Sequence, residues 1–238
     1  MERRFAKHCA QAGKEEVLMR KSDRITFVSS NSSLHRLVSV ILAVIICFGI
    51  IQVQAVSASS RKSKALKAYS KVLSKKSINW GGQKVSLKNS RFGLAYVDKD
   101  NVPELFVYNY ENTCHAQGYC ALYKYKKGKV VFVAALDDIR IYPKKSLVDF
   151  IHQGTGGHVD SYTIISGTKT KNYIQKVNGA SAGIKSYYAK YKSPTSYAIK
   201  KISKKKFKLL LKKKAGKVKA KKIRYYSNTA ANRKKHLK

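Results

Sequence analysis

Three hydrophobic patterns succeed one another along this chain. Residues Leu37 to Val53 contain no charged side chain and are almost wholly apolar. Between 62 and 75, Ala65, Leu66, Tyr69, Val72 and Leu73 recur at helical spacing, which predicts an amphipathic helix over Lys62–Lys75. From residue 92 onward come short apolar or alternating runs that read as strands: Phe92–Val97, Glu104–Tyr110, Ala121–Tyr125, Val130–Ala135, Ile139–Tyr142, Leu147–Ile151, Ser161–Ser166 and Tyr173–Val177. Gly128 supplies the positive-φ position of a hairpin turn, and the Gly-rich stretch Gly154–His158 reads as another. Asn79–Gln83 reads as a glycine-containing link. Ser203 is placed to cap a helix running through Lys214, with Phe207, Leu210 and Leu211 on one face and Gly216 at its end. A strand-like Lys222–Tyr226 follows, and Asn228 is placed to cap a final helix, Thr229–Leu237. Short strands joined by tight turns, without βαβ alternation, predict an α+β fold. Its parts are an antiparallel sheet, one N-terminal amphipathic helix and two short C-terminal helices.

The uncharged run changes the picture of where the chain works. Residues 1–36 carry eight Lys/Arg against four acids, and small residues suited to signal peptidase follow the run at Ala55 and Ala58. This predicts a basic leader (1–36, with Met19 an alternative start) and an apolar segment (37–58) that is either a cleaved signal or an uncleaved transmembrane anchor. An exported domain, 59–238, comes after it.

Charge narrows the class of partner. The 238 residues include 50 Lys+Arg and 12 Asp+Glu, a net charge of +38. With 44% apolar residues the chain is too rich in core-forming side chains for a disordered polycation. Within 59–238 there are 42 basic residues and eight acids, and every one of those acids lies between Asp98 and Asp160. From Ser161 on there are 24 Lys/Arg and no acid. Lysine outnumbers arginine heavily, and lysine is a hydrated point charge whereas arginine is the rigid fork that reads bases and phosphates. The expected partners are therefore cell-surface polyanions met by a diffuse field, centred on Lys204, Lys205, Lys206, Lys212, Lys213 and Lys214, with no specific nucleic acid. If the apolar segment stays uncleaved, residues 37–53 also engage a membrane.

Chemistry-bearing residues are few. Cys114 and Cys120 are the pair in the exported region, and compartment and count predict a loop-closing disulfide between them. His115, His152 and His158 fall in one stretch with Asp137, Asp138, Asp149 and Asp160, enough to assemble an acid–base pair, though no spacing singles any out.

Four stretches carry a resemblance: Phe92–Phe106, His115–Val130 in part, Ser203–Phe207 and Asn228–Leu237. In these the region 60–238 resembles a family of uncharacterised secreted or membrane-anchored proteins of anaerobic, Clostridia-type Gram-positive bacteria. The resemblance implies a surface location and one domain, and brings no activity with it. Within the first stretch, Asp98–Leu105 is similar to the Asp-x-Asp-Gly-Asp-Gly-x-Pro-Glu-Leu loop of extracellular calcium-binding repeats. Asp98, Asp100 and Glu104 align with it as oxygen ligands for a hard cation. Tyr96 stands where the first carboxylate would be and Asn101 replaces a glycine, so an acidic Asx-type turn is the favoured reading. The expectation is an exported, non-catalytic binding or structural module with no obligate cofactor. A calcium-stabilised interaction module and a His/Asp hydrolase of wall or host polymers are the alternatives.

Overall fold

The computed structural model describes residues 59–110, 119–154, 157–179 and 185–238, together with Val40. The chain divides into two compact units, Met1–Gly49 and Ile50–Lys238. The fold set out below is that of the second. Its first helix, α1, covers 59–73. Ala65, Leu66, Tyr69 and Leu73 form its buried stripe, as the helical spacing predicts.

Fourteen strands follow among the described residues. They are β1 (Ser77–Trp80), β2 (Gln83–Ser86), β3 (Arg91–Ala95), β4 (Glu104–Tyr108), β5 (Cys120–Lys126), β6 (Lys129–Leu136), β7 (Asp138–Tyr142), β8 (Leu147–Gly154), β9 (Gly157–Ser166), β10 (Lys169–Gly179), β11 (Tyr187–Tyr191), β12 (Ile199–Ile202), β13 (Lys221–Lys222) and β14 (Tyr226–Ser227). Helix α2 (Lys204–Ala215) lies between β12 and β13, and α3 (Ala230–His236) follows β14. Besides the β1–β2 hairpin there are two sheets. One has five strands in the order β14-β3-β4-β5-β6, and the other seven in the order β12-β11-β10-β9-β8-β7-β13. All pairings are antiparallel.

The five-stranded sheet is covered on both faces, so its central strands are buried nearly residue by residue. Leu105, Val107, Ala121 and Tyr123 face α1, together with Trp80, Val85 and Leu237. Phe106, Cys120 and Leu122 face the other way and meet Ile139, Ile141, Val148 and Ile165 of the seven-stranded sheet. On the outer face of that second sheet, Tyr162 and Tyr188 pack around Phe207 of α2, with ring centroids 5.5 and 4.9 Å apart. Among the described residues of this unit the fold is thus antiparallel sheets with three short helices, and the helices sit at the two outer faces.

The segment after α2 ties the sheets together. Lys221 and Lys222 pair with Ile141 and Arg140 of β7, and Tyr226 and Ser227 pair with Phe92 and Arg91 of β3. In between, Ile223 and Arg224 cross so close to β3 that a Cβ on Gly93 would lie 2.5 Å from Ile223 Cγ2 and 2.7 Å from the Arg224 carbonyl oxygen. Only glycine fits there.

Several expectations are corrected. Residues 79–83 are no link: Gly81 and Gly82, both at positive φ, close the β1–β2 hairpin. Lys222–Tyr226 is no single strand, because its ends belong to different sheets. Strands β11 and β12 fall where none was expected. The side chain that caps α3 is Thr229, which accepts the Asn232 N–H, while Asn228 points back to α1. Ser203 and Gly216 cap α2 as expected. A spanning helix has no counterpart: among the described residues no helix is long and apolar enough to cross a membrane. Residues 37–53, apart from Val40, lie outside the described residues.

Candidate functional site

The turn between β3 and β4 gathers the three aligned carboxylates. Asp98 accepts the Asp100 N–H at 3.0 Å and Asp100 accepts the Val102 N–H at 3.0 Å, while Asn101 takes the left-handed conformation at φ 58°. Two overlapping Asx turns therefore shape the loop, and Asn serves where a glycine was missing. At its end Glu104, 1% exposed, accepts the Val97 N–H at 2.7 Å. Strand alternation then puts Lys124 of β5 on the same face as Glu104 of β4. Lys124 donates to Asp98 and lies 3.2 Å from Glu104 Oε1, an ion pair without hydrogen-bond alignment. One carboxylate oxygen from each of Asp98, Asp100 and Glu104 lies within 4.8 Å of the others. That donor set suits a hard cation, and Lys124 brings the positive charge such a cation would bring. Burial pushes Glu104 up to about 7, against the Val97 N–H and Lys124, which lower it. The Lys124 ammonium is held above its ordinary value by the two carboxylates despite its burial. Asp100 is also paired, with Arg61 at 3.1 Å.

The histidines do not converge. His115 lies outside the described residues. His158 Nε2 contacts Asn178 Nδ2 at 2.9 Å, and Asn178 also donates to Asp160. Among the described histidines only His152 meets a carboxylate directly, Asp137, at 2.8 Å. That pair stands at a cleft of about 320 Å³ lined by Tyr108, Tyr110, Tyr119 and Asp138, in which the Tyr110 and Tyr119 rings stack at 5.4 Å. Asp149, 1% exposed, is taken instead by Arg140 at 2.6 Å on the outer face of the seven-stranded sheet. Burial pushes its carboxyl up to about 6, against Arg140, which lowers it. The Gly-rich turn at 154–158 joins β8 to β9, with Gly154 paired to Gly157, as its hairpin reading requires.

The expected disulfide is corrected. Cys120 is a free thiol, buried, with Sγ 3.2 Å from the Tyr225 hydroxyl; Cys114 lies outside the described residues. The reason is alternation. Cys120 opens β5 with its side chain turned between the sheets beside Phe106 and Leu122. Burial pushes the thiol up to about 12.

The six lysines marked in the sequence all stand exposed on α2, three in its first turn and three in its last. The helix buries only Phe207 and Ala215 and carries no acid. None of its lysines forms an ion pair among the described residues. One basic feature was missed from the sequence: a cleft of about 620 Å³ between α1 and α3, which Arg233 lines. Its signal was the Asn228–Leu237 stretch, which reads as a helix and its cap and hides a side chain placed by Asn228.

Compared with family models, with curated proteins and with solved structures, the chain finds no match.

Proposed function

We propose that this chain is a non-catalytic binding module for polyanions such as wall polymers, acidic glycans or anionic headgroups, met by its lysine-rich C-terminal half. The observation that carries this reading is the charge arrangement of α2. Lys204, Lys205 and Lys206 sit at the positive end of the helix dipole, and the first turn holds no acid to offset them. Lys204, Lys208 and Lys212 repeat at four-residue spacing, so like charges neighbour one another along the helix. The neighbouring strands add exposed Lys190, Lys200 and Lys201. Such self-repulsion weakens the free fold and is relieved by a bound anion, with release of counterions from the polymer.

The test is binding of the full chain to heparin and to a poly(glycerol phosphate) across a salt series. It is run beside a variant with Lys204, Lys205, Lys206, Lys212, Lys213 and Lys214 changed to Gln. Affinity is expected to fall steeply with salt, with a shallower slope in the variant. No binding at low salt, or an unchanged slope, overturns the reading.

A second reading, hydrolysis of a wall or host polymer, draws support from the His152–Asp137 pair beside its tyrosine-lined cleft. It requires release of soluble fragments from such a polymer, abolished by His152→Ala. No release from any wall fraction removes it.

A further inference from the structure

We infer that the cleft between α1 and α3 is a subsite for a phosphoryl group, with Arg233 as its fixed anchor. The inference rests on the polyanion reading and gives it one point of defined geometry. Asn228 is the foundation. Its side-chain amide donates to the Leu73 carbonyl at 3.0 Å, satisfying an orphan carbonyl in the last turn of α1, and to Ser90 Oγ at 3.2 Å. Its own N–H is held by the Ser90 carbonyl at 2.9 Å. Onto this clamped residue Arg233 folds one nitrogen: Nη1 donates to Asn228 Oδ1 at 2.9 Å and to the Asn228 carbonyl at 3.2 Å. Nη1 is thereby used, and the Nε–Nη2 edge has no partner among the described residues. That edge is the fork that grips an oxyanion with two parallel hydrogen bonds.

The rest of the cleft suits the same guest. Arg233 is held in a helix that cannot drift, because Leu237 is buried against α1 and His236 stacks on Tyr226 at 3.7 Å. Lys67 and Ser70 of α1 line the cleft opposite Lys234 and Lys238. No side-chain carboxylate lines it, and none pairs with Arg233 among the described residues. The two charged non-bridging oxygens of a phosphodiester match the two donors of the arginine fork, and their remaining lone pairs and the bridging oxygens are left for a lysine and the Ser70 hydroxyl. A cleft of about 620 Å³ also leaves room for the polymer on either side of the phosphate.

Arg233→Lys tests this, since it keeps the charge and loses the fork. The full chain and the variant are titrated with poly(glycerol phosphate) and with heparin at one salt concentration. About tenfold weaker binding of the phosphodiester is expected, and a parallel loss for heparin would mark the fork as serving sulfate oxygens as well. Equal phosphodiester affinity in the variant overturns the subsite. The polyanion reading then still stands or falls by the α2 variant, so the two failures are told apart. To cover a variant that does not fold, the Arg233 Nε–H resonance of the unaltered chain is followed while inorganic phosphate replaces chloride at constant ionic strength. A shift confined to Arg233 and its cleft neighbours supports the site and identifies the phosphate as sufficient. No shift with inorganic phosphate, together with none with the polymer, overturns it.

Discussion

Lys124 and the lysines of α2 are the same side chain in opposite circumstances. Lys124 lies between two sheets, its ammonium shared by Asp98 and Glu104. The α2 lysines stand in water and pair with no carboxylate among the described residues. In the first region charge is part of the structure, and its cost is met by geometry. In the second it works against the structure and is available to a partner. Within 59–238 the acids, confined to 98–160, thus locate the built interior, and the acid-free stretch from Ser161 on locates the surface on offer.

The sharpest way to break this contrast is Lys124→Met, which leaves Glu104 and Asp98 beside one another without their cation. Removing one member of a buried charge cluster is expected to cost about 3–5 kcal/mol of stability, measured by urea unfolding. Millimolar calcium should restore part of that loss in the variant and leave the unaltered chain's Tm where it was. Calcium stabilising both equally would mean that Lys124 does not occupy the cation's role.

A smaller effect comes from pH. Glu104 titrates near 7 in the fold, above the 4.5 of an unperturbed glutamate. As pH rises from 4.5 toward 7 the unfolded chain gives up this proton and the folded chain keeps it, so stability falls across that window and levels off above it. Asp149, raised to about 6 from 3.8, acts in the same direction at lower pH. Chemical unfolding from pH 4 to 8 should show this decline, and Glu104→Gln should flatten its upper part. A decline unchanged in the variant assigns the proton elsewhere.

On α2, Lys206→Glu sharpens the comparison from the other side. It places an acid three residues after the Ser203 cap, where its carboxylate reaches back to the helix start and meets the positive dipole end. We expect stability to rise by about 0.5–1 kcal/mol while polyanion affinity falls. A variant that gains stability and keeps its affinity would separate the helix from binding. The smallest readout is the Cys120 thiol, which should resist alkylating reagents in the native chain and react once urea unfolds it.

Much of the fold was legible because local signals agreed with their surroundings. The α1 stripe, the Ser203 and Gly216 caps and the Gly128 hairpin each needed only neighbouring residues to be read. The β1–β2 hairpin reads as a link, although Gly81-Gly82 between two short alternating segments carries a two-residue turn signal. Tyr187–Tyr191 and Ile199–Ile202 form strands because each pairs with the strand before it, and little in their composition announces that. The split of 221–227 between two sheets is a tertiary fact with no local trace. The same holds for the site. The Asx turn at 98–101 was readable from its residue types, but Lys124 reaches Asp98 only because β5 pairs with β4. Cys120 looked like half of a disulfide until the pleat turned it inward.

The crossing of residues 221–227 has a consequence for the order of assembly. Until Ser227 has left the ribosome, β3 and β7 both remain open edges, ready to pair with another chain. Neither sheet gains its last strand during synthesis of residues 59–220, so the cooperative closing step waits for residues 221–227. A protease cut between α2 and Lys221 would leave every earlier element in the chain and still undo the clasp that joins them.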